Sequence, residues 1–508
     1  MPRDNTADLL ERLDELKAEF TPAGARRIER LLNQLSRKLF NDTDSLIRYH
    51  ELLLFLRAYP HNASIVHITE KELRSFSSRV SAQEEQDIDI SPLEDQEVSG
   101  IAGTSVTDTF SFYIVRWLVR KHASQVAIDW DWFENENRLA DTWPRFMPLL
   151  EEDTLVEANI PYRKWLAAAR NGRAELPWLI DQFNKLPKPE QERAELYNSQ
   201  QLYVRWTPSY SASRTGIRIP ARKPFYHHGP LIQRRDIDLI KELAHPSPAL
   251  QKLSPQQGEK ALDLAREAST IRYRELYGFT HGDPKHAYRA EFGRGVELFL
   301  MGLPPDKRLP LRAYHAAMIY KNGVAIGYFE GISLFERMDS GFNLYYTFRD
   351  GETAWLYART LNVMHHFTGV TAFAIDPYQI GYENEEGIES GAFWFYRKLG
   401  FRPMRKDSLQ LALKEEEKIK TRKGYRTPAA TLRKLAQSPM ILELDLERRG
   451  DWDRFQLRKI GFKAQRDTLS SLLPDRIAKA KRSSEEVRYL RLMQKDEKLR
   501  EAFIEMGS

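Results

Sequence analysis

The sequence contains no cysteine. This absence excludes disulfide bonds, thiolate metal sites, iron–sulfur clusters and a cysteine nucleophile, because each of these needs a cysteine sulfur. A small secreted scaffold held together by disulfides is therefore excluded as well.

Long apolar runs and a strong excess of one charge are also missing. No stretch approaches the ~18 apolar residues of a membrane-spanning helix, and the first residues show no signal-peptide pattern. We therefore expect a cytoplasmic protein that has no membrane partner. The net charge is +5, from 77 Lys and Arg against 72 Asp and Glu. Over 508 residues this excess is too small to indicate nucleic-acid binding by itself.

The basic excess lies near the C-terminus. Residues 405–508 contain 26 Lys and Arg against 17 Asp and Glu. Charged, helix-forming segments at 414–418 and 477–492 predict a basic helical tail over residues 416–508. Runs of mixed sign usually form solvated helix faces, but this tail could also dock an acidic protein or RNA.

Helical periodicity dominates residues 1–95. Apolar residues recur at helical spacing over 9–20, 28–39 and 46–56, with turn and N-cap residues between these segments. This pattern predicts an antiparallel helical hairpin or bundle. The acidic stretch 81–97 predicts a solvated linker, with a domain boundary near residue 95 and a mixed α/β region of unclear class over 96–250.

The pattern is sharper over residues 251–415. Two strands joined by the hairpin turn Lys321-Asn322-Gly323 are followed by further strands and helices. Strands are predicted over 311–320, 324–333, 342–348 and 370–375, and helices over 355–367 and 389–399. The whole chain is thus expected to be an α+β multidomain protein.

The loop over 349–354 joins a predicted strand to a predicted helix. Such a loop binds anions well, because the first N–H groups of the helix are unpaired and the helix dipole is positive there. Gly351 would let the backbone approach a ligand. Arg349 and the amides of Gly351, Thr353 and Ala354 could hold the anion.

This order of elements and the string Ser-Gly-Ala-Phe-Trp-Phe-Tyr-Arg-Lys-Leu-Gly-Phe over 390–401 resemble the GNAT superfamily of acetyl-CoA-dependent N-acyltransferases. The resemblance covers roughly residues 255–415. Ala392, Tyr396 and the segment 398–401 match the family's last helix, and Glu389 stands where the family has Asn. The family's pyrophosphate loop, Arg/Gln-x-x-Gly-x-Gly/Ala, is matched only in part, because Phe348 occupies the basic position when Gly351 is the anchor.

The resemblance implies a GNAT-like mixed α/β sheet domain. It would move an acyl group from a CoA or carrier-protein thioester to an amine on a small molecule or a protein. Acetyl-CoA or another acyl-CoA would be the co-substrate, in contact with Arg349, Gly351, Thr353, Ala354 and Glu389. Because the chain has no cysteine, the transfer would be direct, without a cysteine acyl-enzyme.

The resemblance also implies Tyr396 as the general acid that protonates the departing thiolate. The alternative is a tyrosine that simply packs in an aromatic helix. A general base must take a proton from the amine, and Asp376 and Glu330 are the candidates, with Glu389 as a third. An Asp before a proline, as at Asp376, often only caps a turn. No metal site is predicted.

A second interpretation belongs to another class. The chain would be a non-catalytic binding or scaffold protein built on a degenerate GNAT fold, with its basic tail docking an acidic partner or RNA. Glu389 and the partly matched pyrophosphate loop favour this alternative.

Overall fold

The computed structural model of the protein describes residues 5–220, 223–309, 311–447, 449–453, 457 and 460. The helices among these residues are α1 (Thr6–Leu16), α2 (Pro22–Leu35), α3 (Thr43–Ala58), α4 (Ala63–Arg74), α5 (Phe76–Glu84), α6 (Phe112–Lys121), α7 (Glu136–Thr142), α8 (Leu149–Ala158), α9 (Tyr162–Ala169), α10 (Glu175–Lys185), α11 (Glu190–Asn198), α12 (Leu239–Ala244), α13 (Pro255–Thr270), α14 (Tyr277–Thr280), α15 (Thr353–Thr368), α16 (Glu385–Glu389), α17 (Ala392–Lys398), α18 (Lys406–Thr421) and α19 (Ala429–Leu435). The strands are β1 (Val106–Asp108), β2 (Val126–Ile128), β3 (Val204–Trp206), β4 (Gln251–Lys252), β5 (Ala287–Gly293), β6 (Val296–Met301), β7 (Ala313–Lys321), β8 (Val324–Leu334), β9 (Arg337–Leu344), β10 (Ala372–Ile375), β11 (Arg402–Pro403) and β12 (Met440–Glu443). The expectation that helices and strands occur together is confirmed.

The chain forms two compact units. The first comprises Met1–Gly229, Leu262–His281 and Asn322–Ala325, and the second comprises Pro230–Ala261, Gly282–Lys321 and Ile326–Ser508. The boundary predicted near residue 95 falls inside the first unit. Among the described residues, no helix is both long enough and apolar enough to cross a bilayer.

The first unit begins with the predicted helices. Thr21 and Asp42 cap α2 and α3, since their side chains accept hydrogen bonds from the backbone N–H groups of Gly24 and Ser45. Within the predicted acidic linker, Leu93 is 1% exposed, so this part of the segment is packed. Further along the chain, β1, β3 and β2 form a small antiparallel sheet.

The second unit contains a nine-stranded sheet, in the order β11-β12-β10-β9-β8-β7-β6-β5-β4. Strands β9 and β10 pair in parallel. The neighbouring pairs β8–β9 and β10–β12 are antiparallel. All four residues of β10 are buried, as expected for a strand covered on both faces. Helix α15 connects β9 to β10 and ends at Gly369, whose φ of 77° is left-handed.

Two predicted boundaries were wrong. The strand predicted over 342–348 is β9, which begins at Arg337, and Tyr346–Phe348 form a 3-10 turn instead. The first residues of β9 are polar, so the sequence gives no strand pattern there. In the strand, the charges of Arg337 and Asp339 are paired with each other at 3.0 Å. The helix predicted over 389–399 is α17, which begins only at Ala392, because Gly391 adopts a left-handed φ of 66° and separates it from α16, where Glu389 lies.

The predicted basic tail is described only in part. Its first residues belong to α18 and α19, while the predicted helical stretch 477–492 lies outside the described residues.

Candidate functional site

The candidate site lies where β9 and β10 diverge. Their parallel pairing runs from Ala372 opposite Arg337 to Ala374 opposite Asp339. Strand β9 continues to Leu344 beyond this last pair, whereas the chain after β10 turns away at 377–380. In sheets with parallel strands, ligands bind beyond the carboxyl ends of the strands at such a point.

The predicted anion loop follows β9 directly. The 3-10 turn Tyr346–Phe348 leads into Arg349, and Gly351 N–H donates to the carbonyl of Phe348 at 3.0 Å. Helix α15 then begins at Thr353, and Leu356 N–H donates to the carbonyl of Glu352 at 2.9 Å. The N–H groups of Thr353 and Ala354 precede that bond, so they belong to the part of the helix that has no intrahelical acceptor.

Glu352 turns into the core beneath this loop. Its side chain is fully buried. Lys321 Nζ lies 3.3 Å from Oε2, and Arg294 Nη2 lies 2.5 Å from Oε1. The backbone N–H of Ile232 also donates to Oε1, at 3.2 Å. The negative charge of Glu352 therefore points away from an anion bound at the helix N-terminus.

Two cations face this one buried carboxylate. Lys321 Nζ also donates to the carbonyl of Arg294 at 2.7 Å. Burial lowers the pKa of Lys321 to about 8, and the charge of Glu352 acts against that shift. Lys321 and Arg294 thus place two basic side chains against one carboxylate at the start of α15, where the helix dipole is also positive.

Arg349 lies at the surface of the same loop. Its side chain is 39% exposed, and Nη2 lies 2.5 Å from Oε1 of Glu386 on α16. Its Nε donates to the carbonyl of Leu344 at 3.2 Å. Surface ion pairs contribute little free energy, so a phosphate could replace Glu386 as the partner of Arg349.

Glu389 lies exposed at the end of α16, on a different helix from Tyr396.

Tyr396 lies on α17 and is buried at 4% exposure. Its ring centroid is 5.7 Å from that of Tyr357 and 5.6 Å from that of Phe401. The aromatic packing that sequence offered as an alternative is thus present. Burial also raises the pKa of Tyr396 far above its usual range, so the phenol keeps its proton.

Glu330 lies on β8, directly opposite Gly341 of β9. The hydroxyl of Tyr314 donates to its Oε1. Burial raises the pKa of Glu330 above that of an ordinary carboxylate, although the bond from Tyr314 lowers it in part. A raised carboxylate pKa brings a general base closer to neutral pH, where it works best.

Tyr396 and Glu330 lie on opposite faces of the sheet. The hydroxyl groups of Tyr357 and Ser340 are 3.2 Å apart, so Ser340 faces the side on which Tyr396 packs against Tyr357. Successive residues of a strand point to opposite faces, so Gly341 and its partner Glu330 face the other side.

Asp376 caps the turn after β10, as the alternative interpretation held. Its Oδ1 accepts from the backbone N–H of Tyr378 at 3.0 Å. It also lines an open cavity of about 860 Å³. In the same turn, Gln379 Nε2 lies 3.5 Å from the point that a Cβ on Gly341 would occupy. The turn therefore reaches β9 at the residue opposite Glu330.

Sequence reasoning missed three residues of this region. Lys321 was interpreted as part of a hairpin turn, and Arg294 and Gln379 were not singled out as site residues. Lys321 and Arg294 both pair with Glu352, which is 31 residues from Lys321 and 58 residues from Arg294 in the chain. A lysine and an arginine beside glycine-containing hairpin turns give no signal of such pairing.

Comparisons with known proteins give no family assignment. The chain matched no family model, no curated protein sequence and no solved structure. The arguments about function therefore depend on the geometry of the site and on the resemblance in its sequence.

The buried cluster makes a direct prediction about stability. Glu352→Gln removes the buried carboxylate that Lys321 and Arg294 both contact, so we expect it to lower the free energy of unfolding by about 3 kcal/mol in urea titrations. The double variant Glu352→Gln/Lys321→Met should recover part of that loss. Glu417→Gln, an exposed carboxylate on α18, serves as the control and should change stability by less than about 0.5 kcal/mol. A loss below about 1 kcal/mol in the single variant would contradict this account of the cluster.

Proposed function

We propose that the second unit is a GNAT-like acyltransferase, which moves an acyl group from a CoA or carrier-protein thioester directly to an amine. The observation that carries the proposal is the loop from β9 into α15. This loop presents the first N–H groups of a 16-residue helix beside Arg349. The carboxylate of Glu352, the residue just before the helix, is buried in the core. This arrangement suits the pyrophosphate of acetyl-CoA or another acyl-CoA.

The order of elements adds support. A strand, a loop and a helix are followed by a parallel strand, and α17 carries the segment that resembles the family's last helix. The pairing of β9 with β10 ends at Asp339 and Ala374. A thioester bound beyond this last pair would have Glu330 on one side of the sheet and Tyr396 on the other.

The proposed reaction assigns one role to each of these groups. Glu330 takes one proton from the ammonium group, and the neutral amine nitrogen then attacks the thioester carbonyl carbon. The C–S bond of the resulting tetrahedral intermediate breaks, and the departing thiolate takes the proton of Tyr396. The Tyr396 phenolate takes the second proton from the amide nitrogen, and solvent removes the proton held by Glu330. Asp376 is the second candidate base, at the edge of the cavity.

The scaffold interpretation remains as the second candidate. It is favoured by the absence of a basic residue at Phe348, where the family's loop has Arg or Gln. The two candidates differ in whether the loop binds CoA, which a binding measurement decides.

The loop predicts a specific pattern of thermal stabilisation. Acetyl-CoA, malonyl-CoA and CoA should each raise the melting temperature of the full-length protein, by about 2–4 °C at a hundredfold excess over Kd. Thr353→Asp should abolish this shift, because its carboxylate repels a pyrophosphate at the first turn of α15. The same carboxylate interacts favourably with the helix dipole, so the variant should stay folded, and Thr353→Ser should behave as wild type. No shift at millimolar CoA would rule out the acyltransferase.

The raised pKa of Glu330 predicts the pH dependence of catalysis. The value of kcat/KM should rise with pH as Glu330 loses its proton, with a midpoint above the usual pKa of a carboxylate. Glu330→Gln should lower kcat/KM by about 10²-fold or more and remove this limb of the profile. The control Glu417→Gln should keep both the rate and the profile. A Glu330→Gln enzyme with the wild-type profile would exclude Glu330 as the base.

A further inference from the structure

The turn after β10 and the start of α18 border an open cavity of about 860 Å³, which lies within the second unit. This volume falls in the range of about 300–1,000 Å³ that is typical of small-molecule sites. Its wall includes two tyrosines, two glutamines, a glutamate and an arginine, which are Tyr378, Tyr382, Gln379, Gln437, Glu383 and Arg405. The proposed acyl transfer assigns no role to these six side chains.

The polar groups of this wall suit an uncharged ligand. A glutamine amide donates and accepts hydrogen bonds, a carboxylate only accepts them, and a guanidinium only donates them. Glu383 would repel an anion, whereas Arg405 would repel a cation. A hydroxyl group both donates and accepts, so it can pair with each of these side chains. The wall therefore favours a neutral ligand that carries several hydroxyl groups.

Two tyrosines add exposed ring surface to the same wall. Tyr378 is 55% exposed and Tyr382 is 43% exposed, so much of each side chain is accessible to a ligand. The face of an aromatic ring carries a negative partial charge, and the C–H bonds on the face of a sugar ring are weakly positive. A pyranose ring therefore stacks well on a tyrosine, while its hydroxyl groups point outward to polar side chains.

Hydrogen bonds fix the segment that carries both tyrosines. Tyr382 N–H donates to the carbonyl of Pro377 at 3.0 Å, and Asn384 Nδ2 donates to that of Tyr378 at 2.9 Å. A segment that is ordered before the ligand binds loses little conformational entropy on binding. The two tyrosines are therefore held in place for a ligand.

The part of the wall that contains Arg405 and Gln437 is held together as well. The backbone N–H of Arg405 donates to the hydroxyl of Ser438 at 3.0 Å. Asp407 fixes the Arg405 guanidinium, with Nε 3.1 Å from Oδ1 and Nη2 2.6 Å from Oδ2. The polar groups on this part of the wall are thus positioned by contacts within the protein.

Glu383 has a backbone conformation that glutamate rarely adopts. Its φ is 52°, which lies in the left-handed region favoured by Gly, Asn and Asp. Strained residues of this kind cluster at ligand-binding sites, where the surrounding structure holds them in place. The strain at Glu383 therefore agrees with the composition of the wall.

We propose that this cavity binds a neutral carbohydrate. Sugar rings stack on Tyr378 and Tyr382. Their hydroxyl groups exchange hydrogen bonds with Glu383, with Arg405 and with the glutamine amides of the wall. Because the cavity is open, further units of an oligosaccharide extend into solvent. This inference does not rest on the proposed acyltransferase function, since it involves neither CoA nor Glu330.

The test measures binding to the full-length protein without CoA, by titration calorimetry and saturation-transfer difference NMR. The probes are five neutral trisaccharides that differ in sugar or linkage: maltotriose, cellotriose, galactotriose, mannotriose and triacetylchitotriose. Sorbitol is the control that has the hydroxyl groups without a ring, and cadaverine and glutarate are the charged controls. We expect at least one trisaccharide to bind with a millimolar or tighter Kd, with the strongest NMR signals from ring C–H protons. Failure of all five to bind, or binding of a control as tight as that of the best trisaccharide, would overturn the proposal.

Tyrosine variants locate the binding. The double variant Tyr378→Leu/Tyr382→Leu should weaken binding of the best trisaccharide by about tenfold or more, because both stacking rings are lost. Tyr277→Leu removes an exposed tyrosine of the first unit and should leave the affinity unchanged. Circular dichroism and melting temperature confirm that each variant is folded. Wild-type affinity in the double variant would place the sugar elsewhere and refute the proposal.

A glutamate variant separates binding from folding. Glu383→Gly should weaken trisaccharide binding by about fivefold or more, because a hydrogen bond to a charged group is lost. It should not lower the melting temperature, since glycine adopts a φ of 52° without strain. Glu417→Gln lies on α18 outside the cavity and should change neither quantity. Unchanged affinity in Glu383→Gly would contradict the proposal, because Glu383 would then serve the fold alone.

Discussion

The candidate site depends on one constraint, the parallel pairing of β9 and β10 inside a largely antiparallel sheet. Two parallel neighbours cannot be joined by a hairpin, so the chain must cross over one face of the sheet between them. Helix α15 makes that crossover. Its N-terminus consequently lies at the end of β9, and the turn after β10 lies beside the same end. The pairing stops at Asp339 and Ala374, and beyond it the turn after β10 approaches β9 at Gly341 through Gln379.

The loop contains two carboxylates, of which Asp350 is exposed and Glu352 is buried. An acidic residue at the start of a helix would repel a phosphate if it faced solvent. Pairing with Lys321 and Arg294 instead holds its carboxylate in the core beneath the helix. A buried ion pair of this kind is a poor source of stability compared with apolar packing, because both charges lose their hydration.

The elements were easier to predict from sequence than the site. Lys321-Asn322-Gly323 predicts a hairpin turn, and a helical pattern of apolar residues that ends at Gly369 predicts α15. Both predictions were possible because these signals come from neighbouring residues in the chain. The inward turn of Glu352 was not predictable in this way, since its cationic partners lie 31 and 58 residues away. Polar Arg337 and Asp339 hid the start of β9, and only Gly391 marked the break between α16 and α17. The cavity escaped prediction because Arg405 comes to it from another part of the chain.

The central claim is that the loop from β9 into the first turn of α15 binds the pyrophosphate of CoA. Hydrogen–deuterium exchange followed by mass spectrometry, with and without saturating CoA, tests it most directly. The account predicts slower exchange in peptides that cover residues 346–356, because the N–H groups of Thr353 and Ala354 would gain phosphate acceptors. Unchanged exchange over 346–356, with protection elsewhere or nowhere, would contradict it.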